Sequence, residues 1–141
     1  MAAETDYQVF VSHGAQDSWI ALQMGRRIRE DCGATTFLDV EDVAAGDDFK
    51  ARIHAEIPKS KELVALFTPW SARRSWVWIE VGAAWSHDKR IVAVLHGLTI
   101  PELEEAAGGK GALDDIDIIG LNDFQGYIEE LRHRVQEADH A

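Results

Sequence analysis

Apolar runs of six or seven residues alternate along the chain with longer segments in which apolar residues recur every three or four positions. The runs predict buried β-strands, and the segments between them predict amphipathic helices. Because the runs are continuous rather than alternating with polar residues, both faces of the resulting sheet are expected to be covered. The five predicted strands are YQVFVS (7–12), TTFLDV (35–40), ELVALFT (62–68), RIVAVLH (90–96) and the weaker DIDIIG (115–120).

Residues that start and stop helices occupy the intervening segments. Asp17 or Ser18 can cap a first helix that runs to about Asp31 and is closed by Gly33. Four further helices are predicted: from the turn at 46–48 to near Pro58, from Pro69 to about His87, from Pro101 into GGKG (108–111), and from Asn122 or Asp123 onward.

Five successive β-α units predict an α/β fold, a flavodoxin-like, doubly wound five-stranded parallel sheet in the order 2-1-3-4-5 with helices on both faces. The 141 residues suit one domain, 1–141, with a core over about 7–138. Ligands of such sheets bind beyond the carboxyl ends of strands 1 and 3. The residues expected there are Ser12, His13, Thr68, Pro69, Trp70 and the helix that carries Trp76 and Glu80.

The segment SWVWIEVGAAW (75–85) places three of the five tryptophans around one glutamate. Trp76 and Glu80 are four residues apart, so they share a helix face, which we expect to look onto the crevice. The opposite face carries Trp78 and Trp85, which are predicted to pack on the sheet and to be more buried than Glu80. Trp19 is likewise predicted to pack along the face of its helix.

Charge and composition exclude several classes of partner. The net charge of -11 argues against binding to nucleic acid or to an anionic membrane, because either needs a basic surface. No apolar run approaches the roughly 18 residues that span a bilayer, and the acidic N-terminus does not resemble a signal peptide. The single cysteine, Cys32, fits a reducing cytoplasm. The six histidines show no metal-binding spacing, so no metal is expected.

Other proteins of this architecture are excluded by the residues that come after the strands. A phospho-receiver would have an aspartate at the end of strand 3, where Thr68 stands, and SHGAQD (12–17) is a poor flavin-phosphate loop. GGKG lacks the Ser or Thr of a Walker loop and does not come after a strand, so it is interpreted as a turn. No G-x-S-x-G elbow of a hydrolase is present.

Three segments, in the right order, resemble Toll/interleukin-receptor (TIR) domains over about residues 7 to 97. YQVFVSHGAQD is similar to their first strand and loop, and TTFLDVEDVAAGDDF to their second strand and "BB" loop. ELVALFTPWSARRSWVWIE resembles their third strand and the helix with the W-x-x-x-E pattern of TIR domains that cleave NAD⁺. Ala45-Gly46 stands where animal signalling members often have Pro-Gly, which favours a bacterial-type domain.

The resemblance implies an enzyme that cleaves the nicotinamide–ribose bond of NAD⁺, its substrate, without a cofactor. Glu80 would be the catalytic carboxylate and Trp76 the aromatic side chain beside it. Ser12 and His13 would line the nucleotide pocket from the first loop, with Asp39 at the end of the second strand. The implied products are nicotinamide with ADP-ribose or a cyclic isomer, in bacterial immune, anti-phage signalling.

The resemblance also implies partners: other TIR domains through self-association and a separate sensor or effector protein. The segment Glu41 to Asp48, with Glu41, Asp42, Val43 and Gly46, is expected to form the assembly loop. A non-catalytic adaptor that acts by homotypic TIR assembly is the alternative function.

Each proposed site residue also has a structural interpretation. Glu80 could be a surface acid paired with Arg73, and Trp76 could be core. His13 could be an exposed loop residue, and Asp39 could cap a turn. Gly46 could be a turn residue that needs positive φ, whatever the function.

Overall fold

The computed structural model describes residues 6–38 and 49–139. Five parallel strands form one sheet in the order β2-β1-β3-β4-β5, which confirms the predicted fold class. The strands are β1 (Gln8–Ser12), β2 (Thr35–Leu38), β3 (Glu62–Phe67), β4 (Arg90–Leu95) and β5 (Asp117–Gly120).

Helices cover both faces of this sheet, as predicted. They are α1 (Ser18–Cys32), α2 (Phe49–Lys59), α3 (Ser75–Ser86), α4 (Ile100–Ala107) and α5 (Phe124–Asp139). One apolar cluster joins α1 and α5 to one face, and a second joins α2, α3 and α4 to the other. Among the helices so described, none is long and apolar enough to cross a lipid bilayer.

The strand pattern results from this two-sided burial. Side chains alternate between faces along a strand, so Val9 and Val11 enter the first cluster while Phe10 enters the second. Both sets must be apolar, which explains why the strands are continuous apolar runs. The register places Ser12, the last residue of β1, beside Ala65 of β3.

The first helix ends as predicted but begins differently. Gly33 closes α1 in the left-handed conformation (φ 75°), and its N–H donates to the Arg29 carbonyl. Neither predicted capping side chain caps the helix: Asp17 makes no capping hydrogen bond, and the Ser18 hydroxyl donates to the Ala15 carbonyl. A 3₁₀ turn, Ala15–Asp17, leads into the helix instead.

The prediction that Trp78 and Trp85 are more buried than Glu80 is wrong. Glu80 is fully buried, Trp78 is partly buried against Phe67, and Trp85 is 60% exposed. The buried stripe of α3 consists instead of Val77, Glu80, Val81 and Ala84. This stripe has the i, i+3, i+4, i+7 spacing of a helix face, and its apolar members pack into the cluster between the helix and the sheet.

The large indole rings therefore flank the contact between α3 and the sheet. The Trp85 indole N–H donates to the Asp115 carboxylate, 3.2 Å away, at the protein surface. Trp19 is 71% exposed on α1, so its predicted packing along the helix face is also wrong.

A second buried carboxylate lies at the opposite end of the sheet, at the start of β3. Glu62 is fully buried and accepts hydrogen bonds from the hydroxyls of Tyr7 and Tyr127. Arg134 of α5 binds it through two guanidinium nitrogens, at 2.9 and 3.0 Å. This Glu62 cluster, which sequence reasoning missed, satisfies both carboxylate oxygens and fixes the last helix to the first and third strands.

The Glu62 cluster predicts how the protein responds to alkali. Burial and the Glu62 carboxylate raise the pKa of Tyr7 to about 12 and that of Tyr127 well above its usual range. These are the only tyrosines of the chain, so tyrosinate absorbance near 295 nm reports this cluster alone.

We expect tyrosinate absorbance to stay low in the folded protein until close to pH 12, and to rise near pH 10 in guanidinium chloride. The folded state holds these protons more tightly than the unfolded state, so their contribution to stability is complete below about pH 10 and is lost as the pH rises towards 12. A titration midpoint near pH 10 in the folded protein would contradict the described contacts.

Candidate functional site

The carboxyl ends of β1 and β3 carry the polar groups that the fold predicts for a ligand site. The Ser12 hydroxyl donates a hydrogen bond to the Glu80 carboxylate, with 2.5 Å between the two oxygens. Both side chains are fully buried. A carboxylate on α3 is thus held against the end of β1, at the place where strand order reverses.

The sequence of α3 positions Glu80 there. Val77, Val81 and Ala84 pack into the apolar cluster between α3 and the sheet, and Glu80 lies on the same stripe. A short hydroxyl–carboxylate bond of this kind is charge-assisted, which offsets part of the cost of burying the acid.

Hydrogen bonds join the loops that come after β1 and β3. The Thr68 hydroxyl donates to the Asp17 carboxylate at 2.7 Å. Asp17 thus binds Thr68 instead of capping α1, as the sequence had predicted. The Ser71 hydroxyl, in turn, accepts from the Thr68 N–H and donates to the Leu66 carbonyl. The two loops are therefore one connected structure.

Trp70 packs directly on the first loop. A Cβ atom added to Gly14 would lie 2.2 Å from a carbon of the Trp70 ring, so only glycine permits this approach. The Arg74 guanidinium carbon lies 4.4 Å from the centre of the same ring, a cation–π contact. Trp70 is thus held between the first loop and the residue that precedes α3.

His13 is buried beside this junction, with 4% of its surface exposed. Its Nδ1 lies 2.8 Å from the Gly14 carbonyl oxygen. A carbonyl can only accept, so Nδ1 carries the proton of this bond. Nε2 is also buried, and among residues 6–38 and 49–139 it has no hydrogen-bond partner.

The structure brings two of the predicted site residues, Ser12 and Glu80, into direct contact. Ser12, His13 and Glu80 are buried at the strand-1 end, and Trp76 is partly buried, packed against the cluster under α3. Asp39 and the segment 41–48, with Glu41, Asp42, Val43 and Gly46, lie outside the described residues.

Sequence reasoning missed the contacts of three residues that shape the site: Asp17, which it assigned to a helix cap, Trp70, which it placed at the ligand site without a partner, and Ser71, to which it gave no role. The sequence indicates these residues only locally. Asp17 is the acid at the end of SHGAQD, and Trp70 and Ser71 belong to a Thr-Pro-Trp-Ser turn directly after a buried strand. The bond between Asp17 and Thr68 and the packing of Trp70 on Gly14 join residues more than 50 positions apart in the chain.

Glu80 is closed off from solvent in this structure. A cleft of about 670 Å³ adjoins the first turn of α3, but its lining does not include Glu80. Its walls come from the turn after β3, the start of α3, and α4; they include Arg73, Trp78, Leu98, Glu102 and Glu105. A substrate can reach the Glu80 carboxylate only if side chains around it move.

A known protein family matches most of the length of the chain. The family described as "TIR domain" matches residues 9–134. The chain belongs to the TIR domain family. The TIR match extends beyond the segment of residues 7 to 97 in which the sequence resemblance is clearest, and includes β5 and most of α5.

One relative of this TIR domain is a probable 2′ cyclic ADP-D-ribose synthase, TcpO, from Methanobrevibacter olleyae. It is 24% identical over 135 residues, which are 94% of this chain and 38% of that protein. The chain therefore spans well under half the length of this relative.

Solved structures share the fold. The TIR domain of the Toll-related receptor TRR-2 from Hydra magnipapillata has a TM-score of 0.67 at 15% identity, over 91% of this chain and 98% of that one. A metazoan TIR-STING receptor from C. gigas, in complex with 2′,3′-cGAMP, has a TM-score of 0.69 at 20% identity, over 96% and 41%. At sequence identities this low, the similarity to these two structures shows a shared fold only.

Proposed function

We propose that this TIR domain cleaves NAD⁺ at the nicotinamide–ribose bond and releases nicotinamide with ADP-ribose or a cyclic isomer. The observation that carries the proposal is the buried Glu80 carboxylate, bonded to Ser12 at the switch point of the sheet. Two observations support it: the W-x-x-x-E pattern of Trp76 and Glu80, and the activity for which the TcpO relative is named.

One carboxylate suffices for this reaction. Ordinary glycosidases need a second carboxyl group to protonate the leaving group. Nicotinamide leaves NAD⁺ as a neutral ring from a pyridinium cation, so no acid is required. Glu80 would stabilise the positive charge that develops on the ribose, and a site closed to water strengthens that interaction.

The remaining roles are assigned by position. Ser12 would orient the carboxylate through its 2.5 Å hydrogen bond, and Trp76 would limit water around the reacting ribose. We place the reaction in the cytoplasm, in keeping with the free, buried Cys32 thiol. A small nucleotide product suits a signal in bacterial anti-phage immunity.

The experiment is a nicotinamide-release assay on the purified domain across a wide range of concentrations. The proposal expects NAD⁺ consumption with stoichiometric nicotinamide. Self-association without release at any concentration would favour the alternative, a non-catalytic adaptor.

We expect activity per molecule to rise with protein concentration. The closed Glu80 site needs an opening event, and docking of the assembly loop of a neighbouring copy, residues 41–48, would supply it in a head-to-tail contact. Replacing Gly46 with valine should suppress the rise while the monomer stays folded by circular dichroism. Flat specific activity together with a fully active Gly46→Val variant would mean that the domain works alone.

A further inference from the structure

We propose that the Arg74 guanidinium binds the diphosphate of the dinucleotide substrate. The inference rests on the proposed NAD⁺ cleavage and adds a residue that holds the substrate. Glu80 acts on the bond between ribose and nicotinamide, and Arg74 binds the phosphates attached to the other side of the same ribose. Arg74 is thus a substrate-binding residue that takes no part in bond breaking.

The segments that connect each strand to the next helix are strongly acidic. In the sequence they are residues 13–17, 39–48, 68–74, 96–99 and 121–123. Together they contain seven aspartates and glutamates, and the only lysines or arginines among them are Arg73 and Arg74. The diphosphate of NAD⁺ carries two negative charges, which these acids would repel. Within these segments, a cation that can offset the repulsion is therefore available only at the end of the segment that follows β3.

Of the two arginines, Arg74 has the geometry for this role. Arg73 shares the cleft beside α4 with Glu102 and Glu105, which offset its charge. Arg74 is exposed and makes no ion pair within the part of the chain that the structure describes. Its guanidinium lies over the Trp70 ring, 4.4 Å from the ring centre, and its N–H donors suit the paired oxygens of a diphosphate.

The helix that carries Glu80 also fixes the position of Arg74. Arg74 directly precedes α3 and Glu80 lies six positions further on, so their backbones are about 9 Å apart along the helix axis. Glu80 binds Ser12, the last residue of β1. Trp70, on which Arg74 lies, packs on Gly14, two residues beyond Ser12. The carboxylate and the guanidinium are therefore held at the end of the same strand, a short distance apart.

The difference in exposure gives the two residues an order of action. Glu80 is fully buried, whereas Arg74 is exposed. The diphosphate can therefore bind to Arg74 before the carboxylate becomes accessible. The Trp70 ring holds the guanidinium in place, so little side-chain freedom is lost on binding.

The test compares NAD⁺ with nicotinamide riboside, which has the same reacting bond but no phosphate. Arg74→Gln should raise the KM for NAD⁺ by about 10- to 100-fold, because charge-assisted hydrogen bonds are lost. The kcat for NAD⁺ should stay within about threefold of wild type, as for a residue that binds ground state and transition state alike. Cleavage of nicotinamide riboside should change far less than the KM for NAD⁺. Arg74→Lys should recover part of the loss, since lysine keeps the charge without the planar fork.

Arg73→Gln is the matched control. It removes the same charge one position away, from a side chain that lines the cleft beside α4. The KM for NAD⁺ should stay within about twofold of wild type, because solvent screens a charge that does not touch the substrate. Thermal unfolding checks that all three variants are folded.

Binding of ADP-ribose separates this inference from the proposed activity. ADP-ribose keeps the diphosphate and has no bond to nicotinamide, so calorimetry measures its binding without turnover. We expect Arg74→Gln to bind it about 10- to 100-fold more weakly than wild type. Equal affinities, or equal losses on NAD⁺ and nicotinamide riboside, would overturn the role of Arg74 alone. Wild-type protein that binds ADP-ribose through Arg74 but releases no nicotinamide would overturn the proposed cleavage and leave the diphosphate site standing, and a wild type that does neither would overturn both.

Discussion

Glu80→Gln should reduce nicotinamide release by about 10³-fold or more, because it removes the charge that the cationic transition state needs while keeping the size of the side chain. The midpoint of thermal unfolding should stay unchanged or rise slightly. Glu80 is fully buried, and a neutral amide costs less to bury than a carboxylate. The measurements are nicotinamide release under saturating NAD⁺ and a melting curve on the same sample.

The matched control is Glu130→Gln, which removes one carboxylate from the exposed face of α5. It should leave both activity and stability near wild type. Substantial turnover by Glu80→Gln would assign the catalytic role to another residue. A large drop in melting temperature would instead identify Glu80 as a structural acid whose bond to Ser12 stabilises the fold.

Glu62→Gln should lower the free energy of unfolding by about 3–5 kcal/mol, the usual cost of removing one partner from a buried ion pair. An amide has one acceptor oxygen where the carboxylate has two, so Tyr7, Tyr127 and Arg134 cannot all keep their bonds. The melting temperature should fall by roughly 10–20 °C. Denaturant unfolding, monitored by circular dichroism, measures the free energy directly.

Asp117→Asn tests whether any lost ion pair has this effect. Asp117 pairs with Arg90 at 3.3 Å, but both side chains are largely exposed, and such a pair is worth about 1 kcal/mol at most. A Glu62 variant as stable as the Asp117 variant would show that the buried cluster contributes little.

Most of the fold could be predicted from local signals. The apolar runs locate all five strands, and the strand order is the one expected from the rules for right-handed β-α units. The meeting of Ser12 with the α3 carboxylate was likewise expected, because parallel strands bring their carboxyl ends to one edge.

The burial of α3 could not be predicted by ranking side chains by hydrophobicity. That ranking puts Trp78 and Trp85 inside, whereas the face of α3 that packs on the sheet carries Val77, Val81 and Ala84 and leaves Trp85 outside. Glu80 is buried by its place on that stripe, despite its charge.

The partners of buried polar groups were also beyond local reasoning. The sequence around Asp17 is typical of a helix cap, but its carboxylate accepts a hydrogen bond from the Thr68 hydroxyl, 51 positions away. In the sequence, Glu62 is the first residue of an apolar strand, and nothing local indicates its partners. Its hydrogen bonds come from residues near both ends of the described chain. Contacts of this kind depend on which strands and helices the folded chain brings together.

The Glu62 cluster also decides where neighbouring protein sequence can be attached. It holds Tyr7, near the first described residue, and Arg134, in the last helix, at one end of the sheet. Ser12 lies at the other end, about 17 Å away along β1 at the usual rise per residue. A partner fused before residue 6 or after residue 139 therefore starts from the side remote from Glu80. Any circular permutation would have to close the chain at this same end of the sheet, because Tyr7 and Arg134 both bind Glu62 there.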